Sequence, residues 1–348
     1  MSEIEQYDYE LPRPLIAQSQ IPHRADARLM VVDRAAQSLA HYHVRDLPDL
    51  LRPEDCLVLN DTRVLPARLL GYRTATGGRW EGLFLEATRE GLWLVVSKSR
   101  GKIVAGETIT LLNVRGQEDI RIRMAMKDVG GVWVVRPDSA EETFALLGRV
   151  GRVPLPPYIR KGEMLASDRE AYQTVYARHP GSVAAPTAGL HFTQPLLDRL
   201  ESLGVTLAWL TLHVGPGTFR PIHADTLAEH KMHAEKAHLG QESVEKILAC
   251  RRRGGRVVAV GTTSVRVLET AARDGTLKPF SGTTDLFIRP PFEFHAVDAL
   301  LTNFHLPRTT LLVLARAFGG DELIGRAYET AIREEYRFYS YGDAMLIL

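Results

Sequence analysis

Residues 68–98, RLLGYRTATGGRWEGLFLEATREGLWLVVSK, alternate apolar and polar side chains in short runs broken by glycine-bearing turns. Three strands read out of this stretch, at 68–73, 80–87 and 92–98, with Thr76-Gly77-Gly78 and Glu90-Gly91 at the joins. The same pattern continues through 108–113, 120–126 and 132–136, with turns at Ala105-Gly106 and Gly130-Gly131. Short strands at regular spacing, with no helix-period segment between them, predict a small barrel or sandwich. At residues 65–136 the module has the size of an insertion into a larger domain.

On both sides of it helices alternate with strands. Thr193 can cap a helix that carries Pro195 in its first turn and Leu196, Leu197, Leu200 and Leu203 on one face. Gly204 stops that helix, and 205–212 reads as a strand. A helix over 242–252 leads through Gly254-Gly255 into a strand at 256–260, and 265–273 returns to helix. Leu323, Ile324, Ala327, Tyr328, Ala331 and Ile332 mark one face of a late helix. This alternation predicts an α/β (α+β) main domain, made of residues 1–64 and 137–348, carrying an inserted small β-barrel domain at 65–136. The proline-rich 153–157 stretch is a natural hinge where the chain leaves the barrel.

Composition bounds the function. The chain has 348 residues, a formal net charge of +1, 45% hydrophobic and 24% charged residues. That excludes a disordered, collagen-like or polybasic chain, and it makes any basic footprint local. Cys56 and Cys250 offer neither a disulfide framework nor a CxxC knuckle. The first ten residues are acidic without an apolar core, which is unlike a signal peptide. No stretch reaches the roughly 18 apolar residues of a spanning helix, and the longest candidate, 309–318, is cut by Arg316. The expectation is a cytoplasmic protein with no membrane partner.

Several polar clusters sit where chemistry needs them. Asn60-Asp61-Thr62-Arg63 follows the apolar run 56–59, and strand carboxyl ends in α/β folds face the crevice. The competing reading is an Asx turn with a salt bridge at the domain junction. Residues 182–193, SVAAPTAGLHFT, form a small-residue loop that lets backbone approach a ligand and offers His191. His213-Val214-Gly215-Pro216-Gly217-Thr218-Phe219 follows a strand, and Gly261-Thr262-Thr263-Ser264 joins a strand to a helix whose N-terminus can hold an anion. His230, His233 and His238 with Glu229 and Glu235 suggest a metal site, but HEXXH is absent and a polar face is the better reading. Arg149, Arg152, Arg160 and Lys161 form a basic set beside the hinge, a rim where an RNA stem-loop fits. Arg251-Arg252-Arg253 closes a helix, where cations complement the dipole. Composition and pattern thus give a two-domain α/β protein with a polar crevice, and no reaction.

Taken together, these motifs closely resemble the S-adenosylmethionine:tRNA ribosyltransferase-isomerases of queuosine biosynthesis. The resemblance runs from Asp8-Tyr9-Glu10-Leu11-Pro12 through the 59–68 segment LNDTRVLPAR and the 181–193 segment GSVAAPTAGLHFT. It continues through Leu212-His213-Val214-Gly215, Met232-His233 with Glu235, and Gly261-Thr262-Thr263-Ser264-Val265-Arg266. It closes with the 302–307 segment TNFHLP and the 336–345 segment YRFYSYGDAM. Ala27 and Thr309 stand where the family pattern usually has serine.

The resemblance implies a transferase that moves and rearranges the ribosyl group of S-adenosylmethionine onto 7-aminomethyl-7-deazaguanine at the tRNA wobble position. The products would be epoxyqueuosine-tRNA, adenine and methionine. S-adenosylmethionine would be a consumed co-substrate, with no cofactor and no metal, and the enzyme a monomer. The sulfonium acidifies C5′–H, so the reaction needs a base, a neutral amine and a proton for departing adenine. Candidate acids and bases are His191, His213, Glu235 and Asp61. Arg63 and Arg266 suit the methionine carboxylate or a tRNA phosphate, Thr262, Thr263 and Ser264 add donors, and Asp343 suits the aminomethyl group. Arg266 is expected to be a site residue whose truncation leaves the fold intact. Arg149, Arg152, Arg160 and Lys161 are the expected tRNA contacts. A metal-dependent hydrolase on the histidine cluster and a non-catalytic RNA-binding module are the two rival readings.

Overall fold

The computed structural model describes residues 3–348 apart from 129, 130, 218–221, 223 and 225, so Thr218 and Phe219 of the His213 motif lie outside the described residues. Its larger body is a nine-stranded sheet. Four central strands, Thr206–Leu212, Cys56–Asn60, Val257–Val260 and Ala299–Asn303, run parallel in that order. Ala344–Ile347 is antiparallel to Ala299–Asn303 and parallel to Arg28–Asp33, and Ser38–His43 forms that edge. On the other side Glu235–Leu239 and Phe280–Thr284 add as antiparallel strands.

Strand residues alternate strictly between two apolar layers, as period-2 geometry requires. Cys56, Val58, Ala208, Leu210, Val257 and Ala259 pack into one cluster with helices Gln241–Arg252, Thr262–Ala271, Thr310–Gly319 and Asp321–Arg333. Leu57, Leu59, Leu207, Val258, Val260 and Leu301 face the other cluster, which takes Leu196, Leu197 and Leu200 of helix Gln194–Ser202. The Thr193 hydroxyl accepts from the Leu196 amide and caps that helix. Thr309 does the same for Leu312, so the hydroxyl kept at this position has structural work.

The second body is a closed six-stranded barrel. Its strands are Arg68–Arg73, Arg79–Ala87, Trp93–Ser99, Val132–Pro137, Glu118–Lys127 and Thr108–Leu112, each antiparallel to the next, and the last pairs back onto the first. Trp80, Phe84, Trp93, Val95, Ile109, Leu111, Ile122, Met124 and Val135 fill it. Helix Thr143–Val150 adds Leu146, Leu147 and Val150 to the same core, and Gly151–Arg152 pairs with Arg68–Arg73. The barrel packing therefore runs past Arg136, because an amphipathic helix needs an apolar partner and this one finds it in the barrel mouth. The fold class read from the sequence, a mixed α/β domain with a β-barrel, is the architecture found.

Candidate active site

The four parallel strands end on one edge of the sheet, and each brings polar residues there. Asn60 ends its strand, His213 follows Leu212, Gly261-Thr262-Thr263 follows Val260, and Asn303 ends the fourth. The turn into helix Thr262–Ala271 uses Gly261 at φ 86°, a conformation that side chains disfavour. Asn60 ties these ends together. Its amide donates to the Leu212 carbonyl (3.1 Å) and the Thr263 hydroxyl (3.2 Å), and its oxygen accepts from the Thr62 (3.1 Å) and Leu212 (3.0 Å) amides.

His213 and Glu235 share a cleft of about 1090 Å³ between this edge and the barrel. The Thr62 hydroxyl meets His213 Nδ1 at 2.8 Å, while Nε2 has no hydrogen-bond partner among the described residues. The ring lies on Gly181, where a Cβ would stand 2.8 Å from it. Burial, helped by His179 and Lys236, holds the His213 pKa below the usual histidine value, so the ring is neutral at pH 7. Asp61 sits one layer back, accepting from the Thr211 hydroxyl (2.6 Å) and facing His179 at 3.6 Å.

Glu235 accepts the Gly215 amide at 2.7 Å and forms an ion pair with Arg266, whose side chain is only 5% exposed. The other Arg266 nitrogens donate to the Leu286 (3.1 Å) and Thr284 (3.2 Å) carbonyls. This corrects the expectation for Arg266. It lies inside the helix with every guanidinium nitrogen engaged, so it holds Glu235 and the adjoining strand end and is not a loose ligand clamp.

His191 and Asp343 belong to a second cluster on the same edge, across strand Ala299–Asn303. The Asn303 amide faces the Tyr339 and Asp343 carbonyls, which fixes its Nδ2 as the donor to His191 Nε2 at 3.2 Å. Burial drives the His191 pKa down to about 4, and nearby Arg24 and Arg337 add to this. The Asp343 carboxylate accepts the Arg28 (3.0 Å) and Arg337 (2.7 Å) amides, so both oxygens pin backbone. Burial nevertheless raises its pKa. Between the two clusters a narrow slot is lined by Thr262, Thr263, Thr302 and His305 against Pro186 and Ala188, and Val214 borders both slot and cleft. The Ser264 hydroxyl is spent on the Val260 carbonyl (2.8 Å). Thr62 was named within the Asn60–Arg63 cluster without a role of its own, and Thr302 and His305 were given no role. The rule that strand ends face the crevice, which picked out the Asn60–Arg63 cluster, would have found Thr302 and His305 as well, since they flank the end of the fourth strand.

His191 and His305 carry a stability consequence. Burial lowers His305 to about 3, as it lowers His191 to about 4. The unfolded chain therefore binds protons below its ordinary value near 6.5 that the folded chain refuses. Their stabilisation is complete above that value and is lost as the pH falls from it towards the folded pKa values. Together they are expected to cost roughly 3–4 kcal/mol between pH 7 and pH 5. Denaturation midpoints that stay level over that interval would contradict their burial as neutral rings.

The remaining candidates are dispersed. Arg63 is exposed and, among the described residues, donates only to the Ala177 carbonyl (3.3 Å). Arg149 is clamped by Asp119 and Glu141, Arg152 donates to the Leu112, Asn113 and Val150 carbonyls, and Arg160 pairs with buried Asp168. Of that basic set only Lys161 is exposed without such a partner among the described residues. Arg253 reaches Thr206 at the start of its strand, which puts the 251–253 cations at the opposite end of the sheet from the site. The His230 ring lies against Phe287, His233 lies over Gly217, and among the described residues no three His, Cys, Asp or Glu converge as metal ligands. No helix among the described residues is long and apolar enough to cross a membrane.

Comparison with known proteins agrees with this geometry. A family model described as queuosine biosynthesis protein matches residues 4–347. The chain is 49% identical over 345 residues to the S-adenosylmethionine:tRNA ribosyltransferase-isomerase of Anaeromyxobacter sp. (strain K), covering 98% of each chain. It is 50% identical over 349 residues to the protein of that name from Symbiobacterium thermophilum, again with 98% coverage of each. The crystal structure of S-adenosylmethionine tRNA ribosyltransferase from Thermotoga maritima is 36% identical, with a TM-score of 0.56 over 99% of this chain and 100% of that one.

Proposed function

The chain belongs to the queuosine biosynthesis protein family, and from that premise we propose that it transfers and isomerises the ribosyl group of S-adenosylmethionine onto 7-aminomethyl-7-deazaguanine at the wobble position of tRNA. The products are epoxyqueuosine-tRNA, adenine and methionine. The observation that carries this is the end-to-end likeness, at about half identity, to proteins named for that reaction. The cleft supports it by pairing an unprotonated imidazole with a fixed carboxylate at the strand ends.

His213 is the base. With Nδ1 turned to Thr62, Nε2 accepts the C5′ proton that the sulfonium acidifies. Glu235, kept in place by Arg266 and the Gly215 amide, supplies negative charge beside the sulfonium and accepts from the attacking amine. Methionine leaves as a neutral thioether and needs no proton. The proton taken from C5′ equals the one adenine acquires on leaving, and the amine sheds one to solvent. Asp61, Thr262 and Thr263 position these groups, and Arg63 is one exposed cation available to a carboxylate or phosphate. His191 and Asp343 shape the second cluster on the same edge. The enzyme works as a cytoplasmic monomer without a bound cofactor, since S-adenosylmethionine is consumed.

Incubation with S-adenosylmethionine and precursor-modified tRNA is expected to release adenine and methionine in equal amounts, at a rate unchanged by chelators. S-adenosylhomocysteine in their place would overturn the reading, because that product means methyl transfer.

A further inference from the structure

The four cations beside the hinge are mostly consumed by internal partners, yet an RNA substrate needs phosphate contacts. The barrel offers them elsewhere. Along Glu118–Lys127, Ile120, Ile122 and Met124 point into the core, while Arg121 and Arg123 are exposed on the outer face. In the neighbouring strand Trp133 and Val135 point in and Arg136 points out. The register places Arg136 directly opposite Arg123. Like charges on opposed strand positions repel, and a sheet with only its own stability to serve has no use for the pair. Thr108 flanks Arg123 on its other side, so that strand supplies no carboxylate there. The nearest carboxylate in register is Asp138, whose amide donates to the Arg121 carbonyl. Even so, none of Arg121, Arg123 and Arg136 has a carboxylate within 4.0 Å among the described residues.

This stripe leads to the site. Arg136 lines the cleft that holds His213 and Glu235. Phe144, on the same wall, is 56% exposed and presents an aromatic face there. From the unpaired, mutually opposed cations and their continuity with the cleft, we propose that the outer face of strands Glu118–Lys127 and Val132–Pro137 is the phosphate track of the RNA substrate. Arg123 and Arg136 contact consecutive phosphates as the strand approaches the cleft, and Phe144 is the platform on which an unstacked base rests on entering it. The assignment rests on the proposed reaction for the identity of the RNA. The cationic face itself is a property of the register.

The test is the double variant R123Q/R136Q in the full chain, with unmodified tRNA as probe in salt-titrated binding. Losing two phosphate contacts is expected to lower the log–log salt slope by about one to two units and to weaken binding roughly tenfold or more at moderate salt. Thermal stability should hold or rise, since a repulsion is removed. A paired R149Q variant should lose stability and leave the salt slope unchanged. An unchanged slope in R123Q/R136Q would overturn the proposal, whatever the wild-type enzyme does with S-adenosylmethionine. Turnover is scored separately on the wild type, so a failed phosphate track and a failed reaction are distinguishable. Within the track, F144A should weaken tRNA binding about tenfold while F144W restores it, and equal affinity in all three forms would remove the stacking platform.

Discussion

Replacing His213 by alanine is expected to lower kcat by about 10²–10⁴-fold, the range of a positioned general base, while the KM values for tRNA and S-adenosylmethionine change little. The reason is geometric. The imidazole stands on Gly181, donates its Nδ1–H to the Thr62 hydroxyl oxygen in the tautomer the reaction needs, and so leaves the Nε2 lone pair open to the cleft. The pH profile adds a second, independent reading. A base must be unprotonated, and burial lowers this pKa, so the acid limb of kcat/KM should fall below pH 6.5. T62V should reduce kcat less than H213A and displace that limb, because it removes the partner that sets the ring's tautomer. T62S should restore both. A wild-type kcat in H213A would transfer the role of base to another residue at these strand ends.

The second large effect is on stability. R266A strands the Glu235 carboxylate in a buried site, and E235A strands the guanidinium, so each is expected to cost roughly 3–5 kcal/mol. The double variant E235M/R266M should recover most of that loss, since apolar side chains of similar volume leave no charge unpaired. It should not recover activity, because the carboxylate fixed by the Gly215 amide is then gone from the cleft. Single variants as stable as the wild type in urea would mean that the pair is not buried as described.

Much of the architecture was readable before the structure because its signals are local. The barrel strands announce themselves through period-2 alternation and glycine turns, and the helix after Thr193 through its cap, its proline and its leucine face. The closure of the barrel by pairing Arg68–Arg73 with Thr108–Leu112 is long-range, and no local pattern encodes it. Helix Thr143–Val150 shows an apolar face in sequence, but which body it packs against depends on the barrel mouth. The site divides in the same way. Asp61 and His213 follow strands and could be placed by that rule alone. The tie between Arg266 and Glu235 spans 31 positions, so Arg266 read as a free cation at a helix start. Arg149 and Arg160 read as a basic rim for a related reason, since composition counts charges and does not show that Asp119 and Asp168 fold onto them. The opposed Arg123 and Arg136 emerge only from the strand register.

In the proposed reaction S-adenosylmethionine gives up its ribose to the wobble base. This transfer is tested most directly with S-adenosylmethionine labelled separately in the ribose carbons and in the methyl group, followed by mass analysis of the wobble nucleoside. All five ribose carbons are expected in the nucleoside of tRNA that carried the aminomethyl base, and the methyl label is expected to leave entirely with methionine. Methyl label in the tRNA, or a wobble nucleoside free of ribose label while S-adenosylmethionine is consumed, would contradict the transfer.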